Sequence, residues 1–130
     1  MTDSDLIRDG VLTEELLGPL TELERRNAPA RVYFAGTRNL LVHRPRVAVV
    51  GARDATEAGL RRAERVAKIL AAEGLTIVSG LARGIDTVAH QTAIAMGSGT
   101  IAVLGGPLDN VQPTSNRGLF RLIAESHLAI

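Results

Sequence analysis

The sequence predicts an α/β fold in which helices alternate with the strands of a mostly parallel sheet, and three observations carry that prediction. Val47–Val50, Leu75–Val78 and Thr100–Leu104 are short, largely apolar runs that each stop at or just before a glycine. Strands buried on both faces of a parallel sheet read this way. Between the first two runs, Leu60, Ala63, Val66, Ala67 and Leu70 recur at three- and four-residue spacing, the mark of an amphipathic helix over Thr56–Glu73. A second helix is predicted over Ile85–Met96, with Gly97 beyond it. The 130 residues hold one domain, or part of a larger one, with room for about four or five strands if helices cover both faces.

The other elements follow in order. Residues 1–27 read as a helical preamble that Gly18–Pro19 divides into two short helices. Asn27–Pro29 ends it, Val32–Ala35 is a short apolar run stopped by Gly36, and Leu40–Val42 predicts a helical turn. At the start of the Thr56–Glu73 helix, Asp54 with Glu57 offers a capping box and Thr56 an alternative cap. Arg61, Arg62, Glu64, Arg65 and Lys68 fill its polar side, and Gly74 suits its C-terminal end. Ser115–Ser126 predicts a further helix with Leu119, Leu122 and Ile123 on one face, and Leu128–Ile130 begins a fourth parallel strand. Such a strand leaves an edge that something must cover.

Charge is unevenly distributed. Residues 1–30 carry seven acids and three bases, whereas residues 31–130 carry seven acids and twelve bases, eleven of them arginine. Arginine forks bind phosphate bidentately; a high-GC genome explains the same bias, so the electrostatics permit a polyanion partner without requiring one. Tyr33, Phe34 and Phe120 are too few aromatics for a face of base-stacking platforms. The absence of cysteine excludes disulfides, thiolate metal sites and a cysteine nucleophile, and three histidines far apart in sequence predict no metal site. With neither a leader pattern nor a long apolar run, a cytoplasmic protein without membrane association is expected.

Ligands of open parallel sheets bind at the carboxyl ends of the strands. Three such ends, Gly51-Ala52-Arg53, Ser79-Gly80 through Gly84, and Gly105-Gly106-Pro107, are expected to converge on one crevice. Glycine lets backbone N–H groups approach a ligand, and the helix starts after Gly84 and near Asp54 favour an anion. Arg53 and Arg83 add guanidinium groups, which makes phosphate the expected guest; the competing reading is of tight turns with solvated arginines. Asp86 and His90 share one face of a helix start, as a structural pair or cap or as ligand-orienting groups. A Ser79–His90 nucleophile pair lacks the G-x-S-x-G setting. Asp109 and Asn116 are turn formers or ligand-facing groups. Arg53 stands where a dinucleotide fingerprint needs its second glycine, and Lys68, the only lysine, lies within a helix, so neither an NAD or FAD site nor Walker chemistry is predicted and no cofactor is expected.

Several separated motifs together resemble one family. These are Val47-Ala-Val-Val-Gly51-Ala52-Arg53, Thr56-Glu-Ala-Gly59, Ser79-Gly80-Leu-Ala-Arg83-Gly84-Ile-Asp86 with Ala89-His90, Ile101-Ala-Val-Leu-Gly105, and then Leu108-Asp109, Pro113, Asn116 and Leu119. In order, spacing and identity they resemble the DNA-processing protein A family, also called Smf. The resemblance covers residues 29–130, which divides the chain into an N-terminal helical segment, 1–28, and a partial domain, 29–130. It implies a Rossmann-like three-layer fold, shortened here, because the family's core continues past the point matching Ile130. Two positions depart from the family pattern: Gln112 where a tyrosine is usual, and Pro107 where a small residue is usual.

The resemblance further implies a protein that binds single-stranded DNA, loads the recombinase RecA onto it, supports natural transformation, and acts as a homo-oligomer without established catalysis. It places Gly51, Ala52, Arg53, Thr56, Gly59, Ser79, Gly80, Arg83, Gly84, Asp86, His90, Gly105, Gly106, Asp109 and Asn116 in or beside the phosphate-binding crevice, with Arg53 as the foremost contact. Two alternatives stand beside it. A nucleotide-binding phosphoribohydrolase-like enzyme would use the same crevice, although the Gly105-Gly106-Pro107 loop has no glutamate. A structural module would keep the fold and lose the ligand.

Overall fold

A computed structural model describes residues 2–130. Six strands form one sheet in the order β1-β2-β6-β5-β4-β3. Strands β3 (Arg46–Ala48), β4 (Thr76–Ser79), β5 (Thr100–Ala102) and β6 (Leu128–Ala129) run parallel, joined by helices α4 (Glu57–Ala72), α5 (Ile85–Ala95) and α6 (Arg117–Ser126). The α/β core with a largely parallel sheet is therefore as the sequence predicts. Strand β2 (Arg31–Gly36) lies antiparallel on the outer side of β6, and so covers the edge that a fourth parallel strand would leave open. Gly36 makes that pairing possible: its φ is +107°, and a Cβ there would stand 2.0 Å from the His127 carbonyl oxygen.

The preamble holds more than two helices. Helices α2 (Thr13–Leu17) and α3 (Glu22–Asn27) flank Gly18–Pro19 as expected, but a four-residue α1 (Asp3–Leu6) and a strand β1 (Arg8–Leu12) precede them. Strand β1 pairs antiparallel with β2, which makes this segment part of the sheet. Thr56 is the cap of α4, its Oγ1 accepting from Gly59 N at 3.0 Å, so the second of the two predicted caps is the one used.

Alternation along the strands divides the core. Ala35, Ile77, Ala102 and Ala129 face α4, α5 and α6, where small alanines of α4 (Ala67) and α5 (Ala89, Ala93) allow the two helices to approach closely. Phe34, Ile101 and Leu128 face the other way, towards Leu16 of α2 and Leu41 of the 3-10 turn Arg38–Leu41. Phe120 and Ile123 of α6 are fully buried, and each stabilises the fold by about 2 kcal/mol through the apolar area it removes from water. Leu122, expected on that face, is 54% exposed; Phe120 takes its place. The run Val47–Val50 also departs from expectation. Val50 is 68% exposed: β3 is an edge strand that ends at Ala48, so Val50 lies beyond it.

Candidate functional site

The loops at the carboxyl ends of β3, β4 and β5 are tied together by two buried side chains. Asp86, in the first turn of α5, accepts from Gly51 N through Oδ1 at 3.3 Å and from Gly80 N through Oδ2 at 3.0 Å. One carboxylate thus joins the ends of β3 and β4. Asn116 does the same for the third loop: its Nδ2 donates to the Leu81 carbonyl at 2.9 Å and to Thr87 Oγ1 at 2.9 Å. The segment it grips is unusual, since Leu81 is buried with φ +60°, a conformation costly for a branched side chain. Gly84 has φ +79°, and a Cβ there would meet the Ala52 carbonyl oxygen at 2.3 Å, so the β3–α4 and β4–α5 loops touch only because this residue is glycine.

What remains outward is basic. Arg53 is exposed and has no ion pair or side-chain hydrogen bond among the described residues. Arg83 is exposed and meets Asp54 at 3.4 Å, a loose surface contact. The backbone N–H groups of Ala52, Arg53, Ala82 and Arg83 make no hydrogen bond among the described residues. They lie between the exposed arginines and the starts of α4 and α5, where an anion is favoured, with the carboxylates of Asp54 and Glu57 at the rim.

His90 lies beneath this surface. It is fully buried, and its Nδ1 is 2.7 Å from Thr100 Oγ1, which donates onward to the Ile77 carbonyl at 2.9 Å. Its other ring nitrogen, Nε2, has no hydrogen-bond partner among the described residues. Burial pushes the imidazole pKa down to about 4, against a smaller upward pull from Asp86. Ser79 Oγ donates to the Val49 carbonyl at 2.6 Å, so no Ser79–His90 nucleophile pair is formed.

Comparison with known proteins fits this geometry to a family. The profile of DNA recombination-mediator protein A matches residues 15–130. The chain belongs to that family. It is 43% identical over 104 residues to the DNA processing protein DprA of Streptococcus pneumoniae, covering 80% of this chain and 36% of that protein. The Smf protein of Synechocystis is 41% identical over 108 residues. The X-ray structure of the S. pneumoniae DprA superposes with a TM-score of 0.74 over 78% of this chain and 35% of that one. A Helicobacter pylori DNA processing protein A, solved to describe its single-stranded DNA binding mode, superposes with a TM-score of 0.78 at 27% identity, over 99% of this chain and 56% of that one. The chain thus spans about a third of the length of the S. pneumoniae protein.

Within this family member, the residues read from sequence divide into four groups. Gly51, Gly80, Gly84, Asp86 and Asn116 build the joined loops, and Ser79 and His90 pack beneath them. Thr56 and Gly59 form the α4 cap. Ala52, Arg53 and Arg83 present outward. Gly105, Gly106 and Asp109 lie apart from Arg53: with Val78, Ile101 and Ile130 they line an open, largely apolar groove of about 1020 Å³ on the second sheet face. Sequence reasoning missed Thr87, whose hydroxyl donates to the Ala82 carbonyl at 2.6 Å and accepts from Asn116, because nothing local distinguishes a threonine in a first helical turn.

Proposed function

We propose that this chain binds single-stranded DNA through its phosphates, without turnover, at the surface formed by Arg53, Arg83 and the amides of the β3–α4 and β4–α5 loops. The observation that carries the reading is Arg53: an exposed, unpaired guanidinium among the described residues, beside free backbone N–H groups and ahead of α4. The H. pylori relative, solved for its single-stranded DNA binding mode, supports the choice of polyanion. Contacts of this kind read phosphate and not base, so binding should be indifferent to sequence and fall steeply with salt.

The family resemblance extends the proposal to loading of the recombinase RecA onto that DNA in natural transformation, in the cytoplasm and by a homo-oligomer. No helix among the described residues is long and apolar enough to cross a membrane. The groove on the second sheet face gives a homo-oligomer an apolar surface to bury.

The test is fluorescence anisotropy of labelled oligo-dT at low and moderate salt. Wild-type protein should bind and lose affinity with salt, and Arg53→Ala should weaken binding roughly tenfold, as loss of a charge-assisted phosphate contact does. No binding at low salt overturns the reading for this chain.

A further inference from the structure

One carboxylate in this molecule is held by two guanidinium groups. Asp3 Oδ2 accepts from Arg117 Nη2 at 2.8 Å and Nε at 3.3 Å, and Asp3 Oδ1 accepts from Arg121 Nε at 2.6 Å. The two arginines are one turn apart on α6, and both are about half exposed while Asp3 is 6% exposed. The low exposure of the carboxylate thus accompanies two guanidinium groups that themselves still reach solvent. Guanidinium Nε–Nη edges take carboxylate and phosphate oxygens in the same geometry.

Strand β1 anchors the N-terminal segment in the sheet, but the stretch ahead of it that carries Asp3 is short. Helix α1 has four residues, and only Leu6 and Ile7 pack at the margin of the core beside α6. Its other nearby carboxylate, Asp5, is turned back onto Thr2 N at 2.6 Å, and Glu125 on α6 forms no salt bridge among the described residues. Arg117 directly follows Asn116, the residue that grips Leu81 in the loop bearing Arg83. The arginine pair therefore starts at the end of the sheet that carries those loops.

We propose that Arg117 and Arg121 form a second phosphate-binding site, and that Asp3 occupies it in the free protein as an intramolecular competitor. The acidic N-terminal segment is then a mask: a phosphodiester chain leaving Arg53 and Arg83 gains two further arginines once it displaces Asp3. Exchange of one anion for another leaves neither guanidinium unpaired, so displacement does not strand a charge. The ligand chemistry is a phosphate group. Its presentation on single-stranded DNA rests on the function proposed above.

The experiment compares the wild-type chain, Asp3→Asn, Arg53→Ala and the triple variant Asp3→Asn/Arg117→Gln/Arg121→Gln. Arginine Nε–Hε resonances are followed by NMR during titration with inorganic pyrophosphate, and oligo-dT binding is measured by anisotropy. The Arg117 and Arg121 signals of Asp3→Asn should shift saturably with pyrophosphate at concentrations that leave those of the wild type in place. Asp3→Asn should bind oligo-dT roughly fivefold more tightly, with a log K against log salt slope steeper by about 1.4, the increment for two more single-strand phosphate contacts. The triple variant should lose both gains. Silent arginine signals in Asp3→Asn, or tighter binding that persists in the triple variant, overturn the masked site. Binding sensitive to Arg53→Ala but unchanged by Asp3→Asn also overturns it and leaves the function above intact. Arginine signals that respond to pyrophosphate in a protein that binds no oligo-dT support the site and overturn the DNA reading.

Discussion

Asp86 and Asp3 are both aspartates held by several hydrogen bonds, and they teach opposite lessons. Asp86 is buried and accepts from two backbone N–H groups, Gly51 and Gly80, that belong to different strand ends. No side chain can replace it there without leaving a donor unpaired. Asp3 is no more exposed than Asp86, but it accepts from two half-exposed arginine side chains, which can turn to water or another anion. The difference lies in the partners. Backbone donors fixed by a sheet make a carboxylate part of the fold, whereas flexible guanidinium groups make it exchangeable.

The sharpest test of that contrast is Asp86→Ala, which should destabilise the protein by about 3–4 kcal/mol in urea unfolding, the cost of orphaning two donors at a largely enclosed site. Asp86→Asn should cost less, because one amide oxygen still accepts while the NH2 group faces a donor. A shift within about 0.5 kcal/mol for Asp86→Ala would show that water replaces the carboxylate and would erase the distinction between the two aspartates.

His90, four residues beyond Asp86, gives the next largest effect, through pH. Its folded pKa of about 4 lies below its ordinary value of 6.5. Both states are neutral above that ordinary value, so stability is unaffected there. As pH falls from 6.5 towards 4 the unfolded chain takes the proton first, and about 3 kcal/mol is lost across that window, with no further loss from this group below it. Urea midpoints between pH 7 and 4 should follow that slope in the wild type and flatten in His90→Asn, apart from the contribution of His127, which burial also pushes down. An unchanged slope in His90→Asn would assign the loss to other groups.

How much of this was legible before the structure differs along the chain. The β3–α4–β4–α5–β5 core is written in local pattern, because runs of apolar residues and helical spacing are properties of neighbours in sequence. Strand β1 was not, since Arg8–Leu12 is five residues without alternation and contains Gly10. The cover of β6 by β2 was not either, because strand adjacency without a hairpin leaves no local mark. The position of Asp86 in a first turn was readable, but its partner Gly51 lies 35 residues away. Asp3 marks the extreme: its arginines are 114 and 118 residues distant, and an acid in an acidic preamble carries no sign of a specific partner.

Asn116→Ala gives a smaller expected loss, about 2 kcal/mol, by leaving the Leu81 carbonyl without its donor and the left-handed Leu81 without its tether. It bears on the comparison because Asn116 resembles Asp86 in holding backbone, not side chains. Stability measured by urea unfolding should fall, and amide exchange should accelerate in residues 81–87 more than elsewhere. Equal acceleration throughout would mean that the loop has no separate tether.

The smallest effect should come from Asp3→Asn, and its smallness is the point. Its carboxyl is held below the ordinary aspartate value, first by the bond from Arg117 and then by that from Arg121. The contact is therefore complete above about pH 4 and is lost only as pH falls through the depressed value. Because both arginines are about half exposed, solvent screens what the contact contributes. The urea midpoint of Asp3→Asn at pH 7 should coincide with that of the wild type, while amide exchange rises in residues 2–7 alone. A midpoint displaced as far as that of Asp86→Ala would place Asp3 among the residues that hold the fold, and an anion so fixed could not give way to a phosphate.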